Sequence, residues 1–138
     1  MEFPDPAAAE AAFYAAFRNL DDDAMRAVWL ESPDASCVHP GGSLLHGTEQ
    51  VLASWQEIFR ESSPPTVDYR LVQSSADGKL AVHTVEEHVN SSSGTRRAVI
   101  IATNVYTHTD TGWRMLAHHA SLPLVEKTVA PQPVPALH

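Results

Sequence analysis

The second half of this chain contains four runs rich in Val, Ile, Thr and Tyr, which constrain the fold more than any other feature. The runs are TVDYRLVQSS, KLAVHTVEEHVN, RRAVIIATNVYTHT and GWRMLAHHASLPLV. The short segments ADG, SSSG and TDTG separate them, and their small, turn-forming residues are typical of hairpin loops. Strands joined by hairpins form an antiparallel meander, which this chain makes long enough to curl around helices.

The first half of the chain shows helical periodicity instead. Asp5 and Pro6 predict an N-cap followed by proline at the first helical position, and apolar residues recur at helical spacing over 6–19. Three consecutive aspartates predict the start of a second, short helix. Thr48 predicts the N-cap of a third helix, which SSPP at 62–65 ends. Helices followed by a strongly bent sheet are typical of an α+β fold.

Length and composition exclude several classes of protein. The 138 residues predict one domain, which we place at 1–125, followed by a Pro-rich C-terminal tail at 126–138. The net charge of −8 argues against nucleic-acid binding, and the single cysteine excludes an intrachain disulfide. The N-terminus lacks the pattern of a secretory signal, and no stretch of about 18 apolar residues is present. We therefore predict a cytoplasmic protein with no membrane partner.

Several segments together carry a family likeness. They are FYAAF, DAMRAVW, CVHPGG, VLASWQEIF, ATNVY and GWRMLAHHAS. In this order they resemble the SnoaL-like branch of the NTF2-like superfamily over nearly the whole chain. The resemblance implies a cone in which three N-terminal helices pack in a strongly curved, mixed or antiparallel sheet. It also implies a deep central pocket and a homodimer formed through the outer face of the sheet.

The resemblance implies much less about chemistry. Members of this superfamily include polyketide cyclases, ketosteroid isomerase, dehydratases, epoxide hydrolases and proteins that only bind or scaffold. Because one fold hosts all of these activities, the function has to be argued from individual side chains.

Strand periodicity selects the candidate site residues. In the last strand, Trp113 and His119 share one face and His118 lies on the other. In similar sequences the Trp-containing face points into the cone, so we predict His119 inside and His118 outside. Comparison with those sequences places Glu87 rather than Glu86 on the pocket side, unless a bulge inverts the strand.

Two further polar residues complete the candidate catalytic set of His39, Glu87, Asn104 and His119. Asn104 lies among apolar neighbours in its strand, so it needs a partner if it faces inward. His39 ends the short strand of SCVHPGG, immediately before a turn forced by proline and two glycines. Aromatic side chains are predicted to line the substrate site: Tyr14, Trp29, Trp55 and Trp113.

Each of these residues has a chemical role and a structural alternative. Either histidine could move a proton, Glu87 could orient a histidine or act as base, and Asn104 could donate to an oxyanion. Alternatively, His39 caps its turn, His119 bonds Ser121 or a backbone carbonyl, and Glu87 faces solvent. The tryptophans could simply form core. We expect four other histidines to lie on exposed faces or at the dimer contact: His83, His88, His108 and His118.

Two histidines and a glutamate match a 2-His-1-carboxylate metal site in chemistry alone. None of them has a diagnostic ligand spacing, and His118 and His119 point in opposite directions from one regular strand. We therefore predict no metal and no cofactor.

The sequence thus predicts a protein that binds a small, largely apolar organic molecule. Acid–base catalysis of a cyclisation, isomerisation, dehydration or epoxide opening is the favoured activity. The alternative is a non-catalytic ligand-binding or protein-interaction module whose cone is filled by its own aromatic side chains. A closed cone would contradict the enzyme hypothesis. An open cone with His39 and His119 within about one ligand's reach of each other would support it.

Overall fold

The computed structural model describes residues 2–61, 66–90 and 97–126 of the chain. The first half supplies three helices and two short strands. They are α1 (Pro6–Asn19), α2 (Asp22–Val28), β1 (Ser36–Val38), β2 (Leu45–His46) and α3 (Thr48–Glu61). The second half supplies strands β3 (Thr66–Ala76), β4 (Leu80–Asn90), β5 (Arg97–Thr109), β6 (Gly112–Ala120) and β7 (Leu124–Glu126).

The predicted α+β cone is confirmed. As predicted, Asp5 caps α1, and its carboxylate accepts a bond from the backbone N–H of Ala8 over 2.7 Å. Thr48 is the first residue of α3 rather than its N-cap, and its hydroxyl donates to the carbonyl of Leu30 over 2.7 Å. No helix in the described ranges is long and apolar enough to cross a membrane. The predicted SSPP stop, the SSSG loop and the tail beyond Glu126 lie outside the described residues.

The strands form one mixed sheet in the order β2-β1-β6-β5-β4-β3. The four long strands pair antiparallel as a meander, whereas β1 runs parallel to β6. After β6, strand β7 pairs antiparallel with the first residues of β5, on the side of β5 where β6 pairs further along. The sequence did not predict β7.

Two register shifts bend the long strands. Val72 is the extra residue in β3, and Leu116 is the extra residue in β6. A bulge of this kind bends the strand and changes which face the following side chains occupy. Helix α1 contacts β3, β5 and β6, and α2 and α3 pack beside it. The apolar core therefore lies between the helices and the concave face of the sheet.

The hairpin between β5 and β6 requires a glycine at position 112. Gly112 has φ +100°, and an added Cβ would lie 2.8 Å from both the backbone nitrogen and the carbonyl oxygen of Phe3. The adjacent Trp113 N–H donates to that Phe3 oxygen over 2.9 Å. Both the backbone conformation and the close approach of the N-terminal segment therefore exclude a side chain.

We expect Gly112→Ala to lower the free energy of unfolding by more than Gly78→Ala does. Gly78 also has positive φ, at +93°, but an added Cβ there meets no atom within 4 Å. Backbone strain alone costs about 1–3 kcal/mol, so Gly78→Ala measures the strain and the excess in Gly112→Ala measures the clash. Urea denaturation followed by tryptophan fluorescence makes the comparison. Equal losses in the two variants would contradict the close packing of Phe3.

Candidate functional site

A group of polar side chains lies buried in a core that is otherwise apolar and aromatic. We call it the interior polar cluster. It is supplied by α1 and by three adjacent strands. Burying polar groups is costly unless they are hydrogen-bonded, so their partners define what the cluster can do. Its members are Glu10, Tyr14, His83, Glu87, Asn104, Tyr106 and His118.

Local periodicity brings these side chains together. Glu10 and Tyr14 are four residues apart in α1, so they project from the same side of the helix. In the sheet, His83 pairs directly with Asn104, and Asn104 pairs directly with His118. The three strand residues form a row that crosses β4, β5 and β6 on the concave face.

Glu10 Oε2 is the shared acceptor at one end of the cluster. It accepts bonds from His83 Nδ1 over 3.0 Å, Tyr106 Oη over 2.7 Å and Asn104 Nδ2 over 3.4 Å. Three polar groups thus converge on one carboxylate oxygen. These bonds also join α1 to β4 and β5.

Glu87 and His118 face each other at the other end. Tyr14 Oη donates to Glu87 Oε2 over 2.6 Å, and His118 Nδ1 donates to Asn104 Oδ1 over 2.6 Å. His118 Nε2 lies 4.0 Å from Glu87 Oε2, beyond hydrogen-bond distance. Among the contacts of the described residues, this nitrogen makes no hydrogen bond. A carboxyl oxygen and an unbonded imidazole nitrogen therefore stand across a narrow gap.

Burial shifts the pKa values of this pair in opposite directions. Loss of hydration raises the pKa of Glu87 to about 7, although the bond from Tyr14 opposes the rise. Burial lowers the pKa of His118 to about 3. Burial and the neighbouring Glu87 also raise the pKa of Tyr14, which therefore remains a donor. At neutral pH the site holds a neutral imidazole beside a carboxyl group that is about half protonated.

His39 is half-buried directly after β1. Its Nε2 bonds Ser54 Oγ over 2.9 Å and lies 3.8 Å from Cys37 Sγ. The Ser54 hydroxyl donates to the carbonyl of Val51 over 2.6 Å, so His39 Nε2 is the donor to Ser54. The following turn is closed by the His39 backbone, whose carbonyl accepts from Gly42 N–H over 2.8 Å. The imidazole therefore does not cap its turn.

Trp55 separates His39 from the interior polar cluster. Its ring centroid is 4.7 Å from that of His39 and 5.9 Å from that of His118. Glu87 and His118 are each only 2% exposed. Five surface cavities on the described residues are lined by side chains other than His39, Glu87 and His118, and Trp55 borders one of them, between α2 and α3. In this conformation the cone is closed over the cluster, and by the criterion set from the sequence this counts against the enzyme and for the non-catalytic module.

The structure places Glu87 and Asn104 inside the cone. Comparison with similar sequences predicts this for Glu87, whereas the sequence leaves the direction of Asn104 open. Glu86 lies on the opposite face, where it accepts bonds from Arg70 over 3.1 Å and His88 over 2.7 Å. Asn104 has the partners that an inward position demands. The catalytic role of Glu87 and Asn104 stays a prediction.

The prediction that His119 faces the cone and His118 faces outward is wrong. Trp113 and Met115 are buried, but the extra residue Leu116 shifts the alternation, so that His118 is buried next. His119 is exposed on the convex side, where its Nε2 bonds Ser36 Oγ over 3.0 Å. The bulge therefore replaces His119 with His118 in the site.

The four aromatic residues predicted to line the ligand are all buried: Tyr14, Trp29, Trp55 and Trp113. Tyr14 belongs to the cluster, and Trp113 stacks on His108 in the β5–β6 hairpin. The indole N–H groups of Trp29 and Trp55 have no hydrogen-bond partner among the described residues. All four form part of the core, and contact with a ligand remains a prediction for each.

Sequence reasoning missed Glu10, His83 and Tyr106. His83 is buried, contrary to the expectation of an exposed face or dimer contact. Two signals were available. Glu10 precedes Tyr14 by four residues in a helix otherwise rich in alanine and phenylalanine, and Tyr106 shares a strand face with Asn104.

Within residues 2–61, 66–90 and 97–126, no group of three or more His, Cys, Asp or Glu side chains is arranged to hold a metal ion. The 2-His-1-carboxylate set considered from the sequence is not assembled, because His119 projects from the convex side while Glu87 is inside.

Comparison with known proteins gives a consistent match over most of the chain. The sequence profile of the SnoaL-like domain matches residues 7–125. A solved structure from Thiobacillus denitrificans, described as a candidate calcium/calmodulin-dependent protein kinase type II association domain, is 37% identical, with a TM-score of 0.85. That match covers 90% of this chain and 98% of the other.

Two further similarities extend the comparison. A structure from Streptomyces avermitilis, described as a candidate dehydratase of the NTF2-like family, is 32% identical, with a TM-score of 0.77. This match covers 86% of this chain and 92% of the Streptomyces avermitilis chain. The F-box protein SKIP8 of Arabidopsis thaliana is 27% identical over 114 residues, which are 83% of this chain and 48% of SKIP8. This chain therefore spans about half the length of that relative.

We expect His118→Ala to destabilise the fold far more than His119→Ala. The first removes a buried ring and leaves Asn104 Oδ1 without its donor, which costs about 2–5 kcal/mol. The second removes an exposed ring bonded to Ser36 and costs at most about 1 kcal/mol. Urea denaturation of both variants measures the difference. A larger loss in His119→Ala would mean that the β6 bulge is wrongly placed.

We expect Glu87→Gln to become more stable relative to wild type as the pH rises. Glu87 has a folded pKa of about 7 against 4.5 as its ordinary value. The native state thus binds the extra proton between these values, and wild-type stability falls as pH rises through that window. The wild type loses about 3 kcal/mol in free energy of unfolding between pH 4.5 and 8, and Glu87→Gln does not, because it has no proton to lose at this position.

The matched control is the neighbouring Glu86→Gln, because the bond from His88 lowers the pKa of Glu86. Denaturation curves for both variants across this pH range test the sign. A pH-independent difference between wild type and Glu87→Gln would show that the Glu87 pKa is not raised.

Proposed function

Because the chain belongs to the SnoaL-like domain family of NTF2-like proteins, we propose that it binds a small, largely apolar organic molecule in its cone and catalyses proton transfer on it. Glu87 and His118 are the proposed acid and base. The reaction class is an isomerisation, cyclisation, dehydration or epoxide opening that needs no covalent intermediate.

One observation carries this proposal: the 4.0 Å gap between Glu87 Oε2 and His118 Nε2. Buried polar groups in a purely structural network are normally bonded to one another. Here an acid and a base face each other without a bond. Tyr14 Oη donates to the same Glu87 oxygen that faces His118, and Asn104 Oδ1 holds the opposite ring nitrogen of His118. A ligand oxygen or carbon approaching from the side can come within reach of both groups.

The pKa of Glu87 supports its role as the acid, whereas the low pKa of His118 makes its neutral ring a weak base. His118 has a pKa of about 3, so it is neutral at pH 7 and its bare Nε2 can accept a proton. Glu87 has a pKa of about 7, so a large fraction carries a proton that it can donate. His118 takes one proton from the ligand while Glu87 gives one to it. Transfer of the new proton from His118 Nε2 back to the Glu87 carboxylate restores the pair.

The closed cone means that this activity requires side chains to move. Trp55 contacts both the half-buried His39 and the buried His118, so it lies between His39 and the cluster. We propose that a ligand enters past His39 and displaces the indole of Trp55. His39 would then contact the ligand at the mouth of the cone. His119 is not part of this site.

We expect wild-type protein to gain thermal stability with a member of an aromatic-polyketide and terpenoid library, and to convert it with a rate that falls as pH rises through about 7. The fall follows from loss of the Glu87 proton. Glu87→Gln should keep binding and lose at least about a hundredfold in rate, because general acid catalysis contributes that much.

The control for this experiment is His119→Ala, which should match wild type in both binding and rate. A stabilising ligand that is never converted would reduce the proposal to binding alone. Conversion at an unchanged rate in Glu87→Gln would refute the assigned acid.

A second function, self-association, is favoured by the convex face of the sheet. Val82 and Ile101 lie there, 41% and 40% exposed, on the side opposite the interior polar cluster. The closed cone also suits a non-catalytic module, and the Thiobacillus denitrificans structure is described as an association domain. We propose that this face forms a homodimer.

We expect Val82→Glu to convert a dimer into a monomer, because it buries a charge at an apolar contact. Gln56→Glu adds the same charge to an exposed position of α3 and should leave the assembly unchanged. Sedimentation velocity of both variants against wild type distinguishes the outcomes. A dimer that survives Val82→Glu would place the interface elsewhere.

A further inference from the structure

Every polar atom of the Asn104 amide is committed to a partner inside the interior polar cluster. Its Nδ2 donates to Tyr14 Oη over 3.1 Å and to Glu10 Oε2 over 3.4 Å. Its Oδ1 accepts from His118 Nδ1 over 2.6 Å. The amide therefore has no spare N–H for an oxyanion, which was the role considered for it from the sequence.

The partners of Asn104 permit only one orientation of its amide. Glu10 Oε2 already accepts bonds from His83 and Tyr106, so it presents only lone pairs to Asn104. Tyr14 Oη uses its single proton on Glu87, so it too presents lone pairs. Turning the amide over would set Oδ1 against two acceptors.

This orientation determines where His118 carries its proton. With Nδ2 held on the Glu10 side, Oδ1 must face His118, so the proton of the neutral ring lies on Nδ1. The opposite nitrogen, Nε2, is then bare, and it is the atom that faces Glu87 across 4.0 Å. If the amide were free to turn, the ring could equally present an N–H to that gap.

We propose that Asn104, held by the acceptors Glu10 and Tyr14, is a positioning residue that fixes His118 as the Nδ1–H tautomer. Its catalytic meaning, a bare Nε2 ready to accept a proton, rests on the proposed function. The tautomer itself does not, because it is a property of the ligand-free fold. Glu10 thus acts on the site through Asn104 without contacting the gap.

The test is the ¹⁵N chemical-shift pattern of the His118 ring in protein labelled at its histidines, measured without ligand at neutral pH. The ring is assigned by the signals that disappear in His118→Gln. We expect wild type to show the Nδ1–H pattern. A wild-type ring that is mainly Nε2–H would overturn the proposal without any variant.

Two variants extend the test to the residues that hold the amide. Asn104→Leu removes the acceptor for His118 Nδ1, so we expect the tautomer ratio to move toward Nε2–H by at least about tenfold, the equivalent of one hydrogen bond. Asn104→Asp keeps an oxygen facing His118 and should keep the proton on Nδ1. An unchanged ratio in Asn104→Leu would overturn the role of Asn104.

Glu10 is tested with a conservative pair. Glu10→Gln can present its carbonyl oxygen to the same three donors and should keep the wild-type ratio. Glu10→Leu offers no acceptor, so it should move the His118 tautomer ratio in the same direction as Asn104→Leu does. The change should be smaller, because Tyr14 Oη still accepts a bond from Asn104 Nδ2. An equal effect of the two Glu10 variants would refute this role. Failure to find any substrate would leave these spectra unchanged and would count against the proposed function alone.

Discussion

The burial of two carboxyl groups in an aromatic core is the constraint on which this structure depends. Glu10 and Glu87 can remain there only if donors reach them, and those donors come from elements far apart in sequence. Glu10 collects bonds from β4 and β5, and Tyr14 reaches Glu87 from the same helix. The contacts that hold α1 on the sheet are therefore also the contacts that shape the site. A change to either carboxyl affects folding and chemistry together.

Much of this architecture could be predicted from local patterns. The N-cap at Asp5, the helical spacing after it and the alternation of the long strands each depend on residues close in sequence, and all three are found in the structure. The same alternation places Asn104 on one strand face with Tyr106, but it does not determine which face points inward. His118 could not be predicted in this way, because the bulge at Leu116 is a property of the register between β5 and β6. No residue type near Leu116 predicts the bulge. One extra residue is enough to exchange which side chains of β6 face the cone and which face outward.

The residues missed by sequence analysis share a physical reason. Glu10 and His83 are polar groups whose burial is tolerated only because they meet each other, at 3.0 Å, across 73 positions of sequence. Each alone resembles an ordinary surface residue of a helix or a strand. Short-range periodicity describes which side of an element a residue occupies, whereas pairing of this kind depends on how the elements pack. Long-range polar pairs are therefore where a single sequence gives the least information.

The single thiol of the chain has a consequence for how motion of the cone can be observed. Cys37 is fully buried in β1 beside His39, and burial raises its pKa to about 12. A thiol in that state is chemically silent, because alkylating reagents react with the exposed thiolate. Any motion that admits water to the mouth of the cone restores the ordinary reactivity of Cys37 Sγ. The rate at which Cys37 is alkylated in the native protein therefore reports how often the cone opens at the proposed entrance.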